Sequence, residues 1–188
     1  MQFWRNDPMA WSGLTILVHW ASMLVVYGLY ALGWYMVDLD YYDVWYRSAP
    51  FWHKSIGLSL CLIIVFRMGM RLLSSPPAPL GNHAKWERIA AKLTHYLLYG
   101  LLFSVFISGY LISTADGRGI SVFGFFELPA LVSDIDNLED WAGEVHIYAT
   151  DTLIIVSLLH AAAAIKHHFI DRDATLRRML GMSDGSSS

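Results

Sequence analysis

This sequence predicts an all-α membrane protein: an antiparallel four-helix transmembrane bundle with both termini in the cytoplasm. Three observations lead there. The 188 residues are 55% hydrophobic and only 15% charged, with a mean hydropathy of +0.41, a balance that suits a polytopic membrane protein rather than a soluble domain. Four long apolar segments recur, each near the roughly 20 residues needed to cross a hydrocarbon core. The cations between them fall almost entirely on one side.

The first segment, Leu14 to Val37, contains one ionisable residue, His19. The second, Ser55 to Leu73, is apolar up to Phe66 and then carries Arg67 and Arg71, which either snorkel to the interface or hold a buried anion. Leu93 to Ala115 contains only His95, and Val145 to Ile165 contains His146, Asp151 and His160. With their flanks, the helices are expected at about 14–37, 52–73, 90–115 and 141–168 of one membrane-embedded domain covering 1–188. Ser74-Ser-Pro-Pro-Ala-Pro79 cannot continue a helix and closes the second span. Phe123 to Leu138, with Gly124, Pro129 and Asn137, reads as a loop carrying a short interfacial turn at Phe125-Phe126. The tail from Gly185 to Ser188 reads as disordered. The first apolar run is too long for a cleavable signal.

Charge sets the orientation. Arg5, Arg67, Arg71, Lys85, Arg88, Lys92, Lys166, Arg172, Arg177 and Arg178 share one side with five acids, whereas Arg47, Lys54 and Arg118 face ten acids on the other. The positive-inside rule makes the first side cytoplasmic. Nothing in this composition suits a nucleic-acid partner. Cys61 is the only cysteine. That excludes an internal disulfide, a cysteine-held iron–sulfur cluster and a cysteine zinc site.

The histidines carry the chemistry. His146 and His160 lie fourteen residues apart on one span, which in an α-helix is a rise of about 21 Å and a return to within about 40° of the same face. One helix thus offers an imidazole at each of two depths. His53 and His146 form an outer set, and His160 meets either His19 or His95 on the inner side. A lone intramembrane histidine is often only a hydrogen-bonding core residue, but five at matched depths exceed coincidence. His83, His167 and His168 read as cytoplasmic loop or interfacial residues. Paired histidines on facing helices are a standard means of holding haem, and without a C-x-x-C-H motif that haem is b-type and non-covalent. Two such haems are expected.

Other residues repeat the spacing. Gly33, Arg67 and Gly109 lie fourteen residues after His19, His53 and His95. Each returns at the opposite depth on roughly its histidine's face. The glycines would let a haem approach closely, although ordinary helix packing also uses glycine. Arg67 is suited to an inner haem propionate. Asp151 lies about 140° around the helix from His146, so a hydrogen bond to a neighbouring span is expected there rather than a ligand role.

These residues resemble the bacterial cytochrome b561 family of four-helix dihaem membrane proteins. The matching stretches are His19-Trp20, His53-Lys-Ser-Ile-Gly57, Arg67-Met-Gly-Met-Arg71, Pro76-Pro-Ala-Pro79, His95-Tyr-Leu-Leu-Tyr99 and Leu159-His-Ala-Ala-Ala-Ala-Ile-Lys-His-His168. The resemblance implies axial ligation of one haem iron by His19 and His160 and of the other by His53 and His146. It leaves His95 as an inner-side residue near haem or quinone. It also implies a bacterial inner-membrane location and electron transfer to ubiquinone, with superoxide as an outer-side donor. Lys54 then serves as a local attraction for the superoxide anion, and His95 as a candidate for proton delivery to quinone. Two alternatives stand beside this reading. One is a haem b anchor and electron conduit for a separate redox protein docking on the acidic face. The other is a haem-free, histidine-lined metal transporter.

Overall fold

The computed structural model describes residues 3–4, 6–80, 84–133 and 135–182. Arg5, His83, Asp134 and the tail at 185–188, which figure in the sequence reading, lie outside the described residues. The described chain forms helices α1 (Gly13–Val37), α2 (Ser48–Leu73) and α3 (Lys85–Thr114), a hairpin of β1 (Ile120–Val122) and β2 (Phe126–Leu128), then α4 (Leu138–Phe169) and the short α5 (Thr175–Met179). The four long helices are each long and apolar enough to cross a membrane.

All four predicted spans are present, and three begin earlier than expected. Helix α2 starts at Ser48 rather than near 52 because Pro50 sits in its first turn, where the missing N–H costs nothing. Helix α3 starts at Lys85, and its Glu87 carboxylate accepts the Ala84 N–H at 3.0 Å. Helix α4 starts at Leu138, with Glu139 and Asp140 in its first turn and Lys166 in its last, each complementing the helix dipole. His53 and His146 therefore lie within the second and third turns of their helices.

The hairpin and α5 were not anticipated, so the fold is not purely helical. Strands β1 and β2 pair antiparallel, with Ile120 opposite Leu128 and Val122 opposite Phe126. Their turn uses Phe123 and Gly124 at positive φ. Ile120 and Val122 are buried while Ser121 between them is exposed, the alternation of a half-covered strand.

Burial runs opposite to that of a soluble protein. Large apolar side chains such as Leu24, Leu62, Ile107 and Leu159 point outward, and Ser22, Ser55, Ser108 and Thr114 are buried. In lipid the apolar surface needs no cover, and small polar side chains can sit between helices by bonding to backbone carbonyls. Ser22 donates to Val18 O at 2.6 Å, and Thr114 to Tyr110 O at 2.9 Å.

The chain divides into two compact units, and the helices alternate between them. Unit 1 (Met1–Met23, Ile63–Leu97, Ile155–Ser188) holds the starts of α1 and α3 and the ends of α2 and α4. In it, Ala78 N–H donates to Pro8 O, Arg178 to Ala78 O and the Trp20 indole to Met179 O, each at 2.8 Å. These bonds tie the N-terminal segment, the proline-rich loop and α5 to one another. Unit 2 (Leu24–Leu62, Leu98–Ile154) holds the remaining helix halves and the hairpin. There the Phe123 N–H donates to Ser55 Oγ at 3.1 Å, anchoring the hairpin to α2.

Candidate functional site

Unit 2 contains a cavity of about 300 Å³ lined almost wholly by apolar side chains. His53 from α2 and His146 from α4 enter it with ring centroids 6.3 Å apart and planes at 66°. Two imidazoles bound to opposite sides of one metal, at about 2 Å per bond, place their ring centres roughly 6 Å apart. His146 Nδ1 lies 3.0 Å from Val105 O and 3.1 Å from Ser108 Oγ. A carbonyl only accepts, so Nδ1 carries the proton and Nε2 keeps its lone pair, the tautomer a metal ligand needs. His53 Nδ1 is buried without a hydrogen-bond partner among the described residues.

Both sequence-selected glycines line this same cavity. A Cβ on Gly33 would lie 3.5 Å from His53 Cε1, and one on Gly109 would lie 3.0 Å from His146 Cε1. Lys54 lines the cavity too, as do Asp151 and Tyr30. The expected interhelical bond of Asp151 is present: Tyr30 O–H from α1 donates to its Oδ1 at 2.8 Å. The histidine pair, the close glycines and the orphaned nitrogen together fit a flat, metal-centred apolar group.

Unit 1 gathers the inner set. The rings of His95 and His160 lie 5.1 Å apart, and His95 Nδ1 donates to Ala91 O at 2.6 Å. Arg67 donates to His19 Nδ1 at 2.9 Å. A guanidinium has no acceptor, so in this arrangement His19 carries its proton on Nε2. Arg67 thus stands beside His19 in this set. At 5.1 Å, His95 and His160 are closer than a shared metal would hold them, so their contact is ring against ring.

His167, in the last turn of α4, belongs to an ion-pair network. Its Nδ1 lies 2.6 Å from Asp171 Oδ2, and Lys166 Nζ bridges Asp171 at 2.7 Å and Glu87 at 3.2 Å. The hydrogen bond from Lys166 holds the Asp171 carboxyl below its usual range. Sequence reading missed the Ser108 and Val105 partners of His146. A serine inside an apolar span is a faint signal for the first, and a backbone carbonyl offers none for the second.

Membrane-spanning helices that bring paired imidazoles into an apolar interior define a b-type membrane cytochrome. The profile of the prokaryotic cytochrome b561 family matches residues 10–182, and the chain belongs to that family. It is 48% identical over 178 residues, 95% of each chain, to cytochrome b561 homolog 2 of Escherichia coli K12. It is 26% identical over 180 residues to the probable superoxide oxidase CybB of Yersinia pestis, covering 93% of this chain and 98% of that one. It is also 26% identical over 175 residues to cytochrome b562 of Cereibacter sphaeroides, covering 90% and 94%. The protein is thus a multi-pass bacterial inner-membrane protein of a haem-dependent electron-transport family.

Proposed function

We propose that this protein moves electrons from superoxide at the extracytoplasmic face to ubiquinone, with both termini cytoplasmic and two b haems held non-covalently. The observation that carries the proposal is the His53–His146 pair, 6.3 Å apart in an apolar cavity with His146 already in the ligand tautomer. A second histidine set in unit 1 supports a second haem, ligated by His19 and His160 as the family resemblance implies. Bound haem supplies the one-electron redox chemistry. The chain's residues do the rest. Val105 and Ser108 orient His146, Gly109 leaves room for the His146 ring, and Arg67 supplies positive charge at the inner set. His95 stands against His160 as the candidate for proton delivery at the inner side. Overall, two superoxide anions become two molecules of dioxygen, and their two electrons and two cytoplasmic protons convert quinone to quinol. Support for superoxide comes from the Yersinia pestis relative named as a probable superoxide oxidase.

The outer loops favour a second reading. Tyr42 and Val44 are each 92% exposed on a loop that also carries Asp38, Asp40 and Asp43. That surface repels an anion and suits a cationic redox protein. Purified protein tested with superoxide and a soluble quinone, and no partner, separates the two. Quinone reduction above the uncatalysed rate is expected. A haem-replete sample that reduces quinone only with an added redox protein overturns the superoxide reading in favour of the conduit. A sample without a Soret band overturns both and leaves the metal transporter.

A further inference from the structure

We infer that Lys54 is the carboxylate-binding group of the unit 2 cavity and that it holds a propionate of the haem ligated by His53 and His146. The inference rests on that ligand pair. In the fold the Lys54 side chain forms part of the cavity wall. It is half-buried there. Among the described residues it makes no hydrogen bond or ion pair. The other polar groups of the cavity wall are committed elsewhere. Asp151 receives the Tyr30 hydroxyl, and Tyr110 donates to Pro129 O while accepting the Leu131 N–H.

A half-buried ammonium in an apolar wall, with no carboxylate bonded to it, is available to an anion. The shape of the wall says which anion. Its lining is largely apolar, and its polar members besides Lys54 and the two histidines include the Tyr30–Asp151 pair, Tyr110, Ser113 and Thr150, none of them a cation, so a ligand with a flat apolar body and a carboxylate edge finds one lysine for that edge. Lys54 follows His53 directly on α2, about 100° further round the helix. Its long stem can lie along the apolar wall and leave the amine free to meet a carboxylate. A charge-assisted bond to a carboxylate results, the counterpart in unit 2 of the part expected of Arg67 in unit 1.

Haem loss from the loaded protein to an excess of a haem-scavenging apo-globin tests this, followed by the Soret change. Lys54→Gln should speed one of two loss phases about ten-fold, the scale of one charge-assisted hydrogen bond, and Lys54→Arg should restore it. In protein reconstituted with haem dimethyl ester, whose carboxylates are capped, wild type and Lys54→Gln should lose the cofactor at the same rate. An unchanged loss rate in Lys54→Gln, or a difference that persists with the ester, overturns the proposal. Slower superoxide-driven haem reduction in Lys54→Gln with unaltered haem loss also overturns it, and returns the amine to the small anion. Failure of the ligand reading is distinguishable, since His53→Ala or His146→Ala would then leave haem content intact.

Discussion

Replacing Gly109 with alanine tests whether α3 fixes the position of the His146 ring. The new Cβ would lie 3.0 Å from His146 Cε1 and 3.3 Å from Nδ1. Ordinary contact begins at 3.4 Å, so the ring must retreat by about 0.4 Å. It cannot retreat freely. Nδ1 is held at 3.0 Å by Val105 O and at 3.1 Å by Ser108 Oγ, both on the helix that carries the intruding methyl. Alanine in a helix interior gains up to about 1 kcal/mol over glycine, whereas overpacking a filled site costs about 1–3 kcal/mol. The expected balance is a loss of up to about 2 kcal/mol, concentrated on one ligand ring. Gly33→Ala is the control. Its Cβ would stand 3.5 Å from His53 Cε1, an ordinary contact, so the helix gain should remain and the change should be neutral or mildly stabilising. Thermal unfolding in detergent and reduced-minus-oxidised α-band spectra read both effects. Gly109→Ala should lower Tm and shift or broaden one α band, and Gly33→Ala should do neither. A Gly109→Ala protein indistinguishable from wild type, or a Gly33→Ala protein that is the more damaged, refutes the reasoning.

Two further outcomes are expected. Pyridine haemochrome assay should give about two haems per chain, with His146→Ala and His160→Ala each removing a different one because the two residues fall in different compact units; loss of a haem in His95→Ala but not in His19→Ala would reverse the inner ligand assignment. Arg67→Gln should retain both haems but lower the reduction potential of one, because a nearby cation favours the reduced, less positive centre, and an unchanged potentiometric titration would remove Arg67 from the haem environment.

The parts of this fold legible in the sequence are those governed by the bilayer. A charge inside hydrocarbon is costly and a long apolar run is hard to disguise, so all four spans could be read. So could the grouping of histidines: His53 and His146 fall in unit 2, and His19, His95 and His160 in unit 1. The cations follow the same division, with Arg47, Lys54 and Arg118 in unit 2 and the other described lysines and arginines in unit 1. What escaped was local or tertiary. The hairpin strands have three residues each, too few for alternation to stand out from a loop. Pro50 hid the start of α2 because a first-turn proline looks like a break before a helix. The partner of Asp151 was anticipated as a neighbouring span, but no pattern distinguished Tyr30 from other tyrosines at similar depth.

The inner histidines mark where periodicity stops being informative. Spacing assigns a depth to each residue, and His19 and His95 share one. Choosing between them requires distances across helices, and there the two units differ in a chemically useful way. The His53 and His146 rings are separated by 6.3 Å, enough for a metal with a bond of about 2 Å to each. The His95 and His160 rings are separated by only 5.1 Å, edge to face, a contact that serves an aromatic pair better than two ligands of one iron. His19 instead meets a guanidinium at 2.9 Å. If it binds iron through Nε2, its proton must move to Nδ1, and a protonated Nδ1 can no longer accept from Arg67. Ligation by His19 would therefore require Arg67 to leave its present partner, which would free its donors for a propionate of that haem. The residue that guards the ligand and the residue expected to hold the propionate are then one and the same. An arginine, with several donors on a long arm, would serve both parts where a shorter or neutral side chain would not.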